Sequence, residues 1–336
     1  MKNLTIIVPC FNSEDYLSRC IDSLLIGEEA LEILIVNDGS TDRTAELAEA
    51  YKKRFPKTIH VIHQPNRGHG GAINTGLRAA TGRYLKVVDS DDWVDQTSLL
   101  KLIETLQQLS EGEEPDLLVN NYVYEKQGVR RKKTVQYTTF LPQDQSFNWR
   151  DVKFPIGKYL LMHSLIYKTS LLKEHLPPLP EHTFYVDNLF AFWPLPFTEK
   201  IYYLNIDLYR YFIGRSDQSV NEEIMIKRID QQLSVNYEMI NYYTIIAKER
   251  CSAAKYMRQF LEIITSVSSV LLLKQPTAEN LVKKRQLWRY IRENDNRLYQ
   301  KLRLSLLGQA VHLPGQFGRR TTIGVYKVCK KVYGFN

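Results

Sequence analysis

Two rhythms alternate along the first hundred or so residues. Uninterrupted apolar runs at 4–10, 31–36, 59–63 and 84–88 read as buried strands, since a strand covered on both faces needs no polar alternation. Between them apolar residues recur at helical spacing. Leu17, Ile21, Leu24 and Leu25 share a face behind a helix start at Asn12 or Ser13, and Ala45, Leu47, Ala48 and Tyr51 follow the turn at 37–42. A third helix, 72–80, follows the glycine-rich loop at 66–71. Four strand–helix repeats in about a hundred residues predict an α/β fold with a mostly parallel sheet and helices on both faces.

Further on, the pattern predicts a helix at 97–109 and strands at 116–124, 160–168 and 201–213, with an acidic, aromatic segment at 184–192 and a basic, solvated interruption at 130–133. Beyond Ser219 strand signals fade and apolar residues keep helical spacing, so the chain divides into a catalytic-type α/β domain, 1–219, and a helical C-terminal region, 220–336.

Composition changes this picture in two places. Cys10, Cys20, Cys251 and Cys329 form no CxxC pair, which argues against a zinc site or a disulfide framework and for a reducing cytoplasm. No apolar run is long enough for a signal peptide or a membrane span of ~18 residues or more. From Lys274 onward there are 14 Lys and Arg against 3 Asp and Glu, so the positive balance sits in the tail. Such an excess points to an anionic partner surface.

The candidate chemistry lies where strands end. The run at 84–88 delivers Asp89, Asp91 and Asp92 to the carboxyl edge of a sheet, where α/β proteins bind ligands and where Mg²⁺ or Mn²⁺ would find oxygen donors. The competing reading is a charged strand end with Asp92 capping a helix. Pro9 ends the first strand, in a motif that would place Asn12 beside a base but that taken alone is more often structural; Asp38 can accept from a pyrimidine N–H or simply close its own turn. Asn74, in the first turn of its helix, faces a diphosphate or only starts the helix. No Rossmann fingerprint is present, because Ile73 stands where the last glycine is needed.

Together, Pro9 and Asn12, the stretch from Val36 to Asp42, Ala72, Asn74-Thr75-Gly76, and Ala80-Thr81-Gly82-Arg83-Tyr84 leading to Asp89-Ser90-Asp91-Asp92 resemble the family 2 glycosyltransferases, which have the GT-A fold. The resemblance is close over about 1–100 and looser over 180–220. It implies metal-dependent, inverting hexosyl transfer from a nucleotide-sugar, most often UDP-linked, with Asp38 on the uracil, Asp89 at the nucleoside end and Asp91 on the cation.

The acceptor hydroxyl then needs a separate base, and Asp187, in Phe184-Tyr185-Val186-Asp187-Asn188, matches the family's acid; Val186 stands where a glutamate is common. Its competing role is a helix N-cap. Ile73 replaces an arginine often found before the asparagine, so Arg210 and Arg215, in a segment like the family's donor-closing loop, are candidates for the missing positive charge. His69 and His182 could approach phosphate or acceptor but are read as loop-surface residues, and Trp93 as core packing or an acceptor contact.

In the tail, Leu287, Ile291, Leu298, Leu302 and Leu306 keep helical spacing among basic residues, as do Val325, Cys329, Val332 and Tyr333. This suits either an interfacial anchor on an anionic membrane or a helix packed on the enzyme with a solvated face. The expected partners are a UDP-sugar donor, a glycan or lipid-linked acceptor and, through the tail, the inner face of the plasma membrane; no nucleic-acid motif occurs. Two other readings are a sugar nucleotidyltransferase and a non-catalytic nucleotide-sugar binder. The first lacks a glycine-rich basic loop after the first strand, and the second does not account for four retained acids.

Overall fold

The structure is a computed structural model that describes residues 2–110, 112, 114–126, 128–129, 132–214, 218–219, 221–247 and 251–333, with side chains through 327. The chain forms two compact units, Met1–Lys153 with Leu160–Gly214, and Phe154–Tyr159 with Arg215–Asn336.

The first unit opens with the expected repeats: β1 (Leu4–Cys10), α1 (Leu17–Leu24), β2 (Leu31–Asp38), α2 (Thr44–Arg54), β3 (Ile59–Gln64), α3 (Gly68–Ala79) and β4 (Tyr84–Val87). After these come β5 (Trp93–Val94), α4 (Gln96–Leu109), β6 (Leu117–Val119), β7 (Tyr122–Lys126), β8 (Lys133–Val135), β9 (Ser146–Phe147), β10 (Leu165–Lys168), α5 (Thr169–His175), α6 (Asp187–Phe192), β11 (Ile201–Tyr203) and β12 (Tyr209–Ile213). Eight strands form a mostly parallel sheet in the order β3-β2-β1-β4-β10-β6-β11-β9, with β10 antiparallel to both neighbours. A smaller sheet, β5-β12-β7-β8, takes the others. Every residue of β1 and β2 is buried, as their unbroken apolar runs require.

Several expected boundaries move, each for a local reason. The first helix begins at Leu17 rather than Asn12 or Ser13, because Asn12 accepts from Thr41 and the Ser13 amide donates to Thr44, holding this segment against the β2–α2 turn. The run at 116–124 breaks into β6 and β7, in different sheets, at Asn120 and Asn121; the Asn121 amide donates to Asn205 and Asp207, which lie where the run at 201–213 breaks too. The strand expected at 160–168 starts only at Leu165, after a 3₁₀ turn over Met162–Ser164. There the buried Lys86 ammonium takes the His163 carbonyl at 2.6 Å. Of the basic interruption, Arg130 and Arg131 lie outside the described residues.

The Thr81-Gly82 pair closes the far edge of the sheet. Buried Glu32 accepts from Thr5 Oγ1 and from the Thr81 amide and hydroxyl, and a Cβ on Gly82 would sit 2.6 Å from the Thr5 nitrogen. Burial alone would raise the Glu32 carboxyl, but these three donors outweigh it and hold the carboxyl below its ordinary range.

The second unit is helical: α7 (Glu222–Lys227), α8 (Ile229–Tyr242), α9 (Ala254–Lys274), α10 (Ala278–Asn294), α11 (Asn296–Leu304), α12 (Leu306–Ala310) and α13 (Gly315–Tyr333), with a π-helical turn, Tyr243–Ala247, after α8. Buried α9 is its axis, and Phe154 and Tyr159 lie on Tyr256 and Phe260 at ring distances of 4.3 and 4.7 Å. Thr277, Asp295 and Ser305 cap α10, α11 and α12. Leu287, Ile291, Leu298 and Leu302 are buried, so these basic helices pack by their apolar faces, whereas Leu306 is exposed. The side chains of Cys329, Lys330, Lys331, Val332 and Tyr333 lie outside the described residues. Among those residues no helix is long and apolar enough to cross a membrane.

Candidate active site

The parallel register of β1 to β4 brings four strand ends to one edge: Cys10 lies beside Asn37, Asp38 beside Gln64, and Ile7 beside Val87, two residues before Asp89. A cavity of about 340 Å³ opens there, lined among others by Pro9, Phe11, Asp38, His69, His182 and Phe184. Asp38 is buried, and its Oδ1 accepts from Gln64 Nε2 at 2.6 Å and the Arg67 amide at 2.8 Å. Asn12, at φ 49°, uses its side-chain oxygen on the Thr41 amide at 2.8 Å, so it joins the β1 and β2 loops.

Next to this cavity the three aspartates behind β4 have different surroundings. His69 Nε2 lies 2.8 Å from Asp89 Oδ1. Burial opposes charge on both groups, but their attraction wins: Asp89 is held below its ordinary range, and His69 above its own with added help from Asp187 and Asp91. Asp92 is fully buried, accepting from Tyr209 Oη at 2.6 Å and the Phe212 amide at 2.7 Å, and the Asp89 amide donates to the same Tyr209 oxygen at 3.2 Å. Burial, together with Asp91 and Asp89, pushes the Asp92 carboxyl well above its ordinary range, while its two accepted hydrogen bonds tie β12 to the acid loop. The Asp91 carbonyl accepts from Arg19, whose guanidinium lies 3.8 Å over Trp93. That contact covers a Trp93 face and favours packing over an acceptor contact.

The glycine-rich segment forms the start of α3 rather than a loop, and the reason lies in the chain that crosses it. A Cβ on Gly70 would come 2.4 Å from the Pro180 carbonyl oxygen, and Gly68, at φ +73°, has the His182 nitrogen 2.9 Å from where its Cβ would be. Only glycines admit this backbone. Asn74 completes the attachment, exchanging two 2.9 Å hydrogen bonds with the Leu179 carbonyl and amide. His182 and Tyr185 follow at φ 50° and 67°, costly values for non-glycine residues that occur where the chain turns towards Asp187.

Asp187 is the first residue of α6, with Val186 at the cap position. Burial and the Asp89 charge raise its carboxyl to about 6, against the pull of His69. The three groups are thus coupled around one site, though Asp187 and Asp89 are far apart in sequence.

One group of side chains here could hold a divalent cation. Asp89, Asp92 and His163 place ligand atoms within 4.8 Å of one another. Both His163 ring nitrogens are buried without a hydrogen-bond partner, and burial pulls the imidazole down to about 4, leaving it neutral. Asp92, however, already spends both oxygens on β12.

Pro9, Asp38, Asp89, Asp91 and Asp187 therefore gather around one edge, and Asn74 and Asn12 hold the loops that frame it. Arg210 is held by Asp95 at 2.9 Å and Glu125 at 3.3 Å in the smaller sheet. Arg215 lies outside the described residues. His69, read from sequence as a surface residue, is the partner of Asp89; its place directly ahead of the paired glycines was the available signal. His163 and Tyr209 had no signal in sequence, because their surroundings come from other strands.

Glycosyl transferase family 2 matches residues 5–172, half of the chain. Putative glycosyltransferase EpsH of Bacillus subtilis is 28% identical over 281 residues, covering 81% of this chain and 77% of that protein. The poly(ribitol-phosphate) beta-glucosyltransferase of Bacillus spizizenii is 30% identical over 185 residues, 53% of this chain and 27% of that one. The fold is that of S. aureus TarS 1-349, with TM-score 0.67 and 19% identity over 99% of this chain and 91% of that one; a second TarS structure is a complex with UDP-GlcNAc. With its acid-lined strand ends and its matched half, this chain belongs to glycosyl transferase family 2.

Proposed function

We propose that this glycosyltransferase moves a sugar from a UDP-sugar to an acceptor hydroxyl with inversion at the anomeric carbon, in cell-surface polysaccharide or teichoic-acid-type assembly. The observation that carries the reading is the cavity at the strand ends that Asp38 and His69 both line, with Asp89 2.8 Å from His69 and Asp187 near enough to feel both charges. Asp38 accepts from the uracil edge, Pro9 shapes the base site, and Asp89 holds the nucleoside end. Asp187, near neutrality, takes the proton of the attacking hydroxyl. The UDP-GlcNAc complex of TarS supports the donor class, and the ribitol-phosphate relative supports the acceptor class.

Asp91, with Asp89 beside it, would hold Mg²⁺ or Mn²⁺, which supplies positive charge to the leaving diphosphate when bound. Asn74 acts by anchoring the Leu179 backbone and hence the loop that leads to Asp187. Exposed Leu304, Leu306 and Phe317, close in sequence to Arg303, Arg319 and Arg320, support contact with an anionic membrane on the cytoplasmic side.

A donor screen tests the whole. UDP release from one UDP-sugar, stimulated by Mg²⁺ or Mn²⁺ and removed by EDTA, is the expected result. Release from no nucleotide-sugar with or without metal, across a panel that includes GDP- and dTDP-sugars, would sink the assignment.

A further inference from the structure

The second unit contains a cavity of about 200 Å³, several times the ~30 Å³ of a water, whose rim is cationic. Lys284, Arg285, Arg289 and Arg292 line it from α10, at spacings that keep them along one side of the helix. Trp288, Tyr299 and His312 form its walls. Trp288 is buried, donates to Ser269 at 3.0 Å, and meets the His312 ring edge-on at 4.4 Å, so this wall is fixed. His312 Nδ1 lies 2.7 Å from the Gly308 carbonyl, which orients the ring.

Among the described residues Lys284, Arg285, Arg289 and Arg292 have no ion-pair partner, although Lys283 next door has two, Asp230 and Glu279. Burial and nearby Arg303 pull Lys284 down to about 8; burial, then Lys284 and Arg303, pull His312 to about 4. The folded unit holds like charges together at a cost that an anion would remove. A concave site with fixed aromatic walls and several guanidinium groups matches a tetrahedral, multiply accepting anion better than a single carboxylate.

We infer that this cavity is a binding site for a phosphate group, a monoester or diester, separate from the acid-lined edge of the first unit. The inference does not rest on the donor reading. The phosphate belongs either to a soluble or chain-borne ester or to a phospholipid headgroup, and these sources share the chemistry.

The test uses the full chain with UDP and Mg²⁺ saturating, so that any nucleotide site is filled, at physiological chloride. Calorimetry with glycerol phosphate is one arm; sedimentation with phosphatidylglycerol or phosphatidylcholine vesicles is the other. Arg289→Gln/Arg292→Gln removes two exposed cavity cations, and Lys53→Gln/Arg297→Gln removes two exposed cations that do not line it. Saturable glycerol phosphate binding weakened about tenfold or more by the first pair and little by the second supports a soluble source. Binding confined to anionic vesicles, with the same variant pattern, supports a headgroup. Absence of binding in both arms, or equal loss in both double variants, overturns the site.

Discussion

His69 Nε2 and Asp89 Oδ1 stand 2.8 Å apart, joining the first turn of α3 to the loop behind β4. The pair lowers the cost of burying Asp89 as an anion and raises the proton affinity of His69, which feels both Asp89 and Asp187. The arrangement lets Asp89 remain charged while the more isolated Asp187 rises towards neutrality.

Asp187→Asn should leave donor binding near wild type and lower kcat by about 10²–10⁴-fold, since only the proton acceptor is lost. In the wild type, kcat/KM should rise with pH through a limb near 6 and then level off, because the base works deprotonated. A profile flat from pH 5 to 8, or an active Asp187→Asn enzyme, removes the base assignment.

Metal binding separates two sets of acids. Asp91→Ala is expected to abolish the gain in donor affinity that Mg²⁺ or Mn²⁺ confers, read by calorimetry, while His163→Phe keeps it. The reverse pattern would move the cation to the buried group Asp89, Asp92 and His163.

Asn74→Ala discriminates anchoring from donor contact. It removes two hydrogen bonds and leaves the Leu179 groups unpaired, a loss of about 2 kcal/mol in denaturant unfolding. We expect kcat to fall more than donor KM rises. A KM effect with full kcat would return Asn74 to direct donor binding.

Lys86 offers a pH test of the core. Burial pulls its ammonium down to about 7, so between about pH 7 and the ordinary lysine range near ~10.4 the unfolded chain binds the extra proton and stability rises with pH. Lys86→Met should flatten that rise relative to wild type in melting-point series. An identical pH slope in both proteins would mean that Lys86 keeps its ordinary affinity for protons.

Much of this was legible in residue order. β1, β2, β3 and β4 announced themselves by unbroken apolar runs, and their ends carried Asp38 and Asp89, because a buried parallel strand leaves both marks locally. The division at Asn120-Asn121 was not legible: apolar β6 and aromatic β7 both have strand-forming composition, and only their partners assign them to different sheets. Arg210 looked available until Asp95 and Glu125, from β12's neighbourhood in space, were seen to hold it. Glycine's poor helix propensity hid the start of α3, whose glycines answer to a chain more than a hundred residues later.

That crossing has one more result. Because Asn74 pegs Leu179 and the glycines seat 180–182, the tether that leads to Asp187 rides on the same helix whose amino end borders the cavity lined by Asp38. On the proposed reaction, donor loading and placement of the base would thus share one mechanical support, and a shift of α3 would be felt by both.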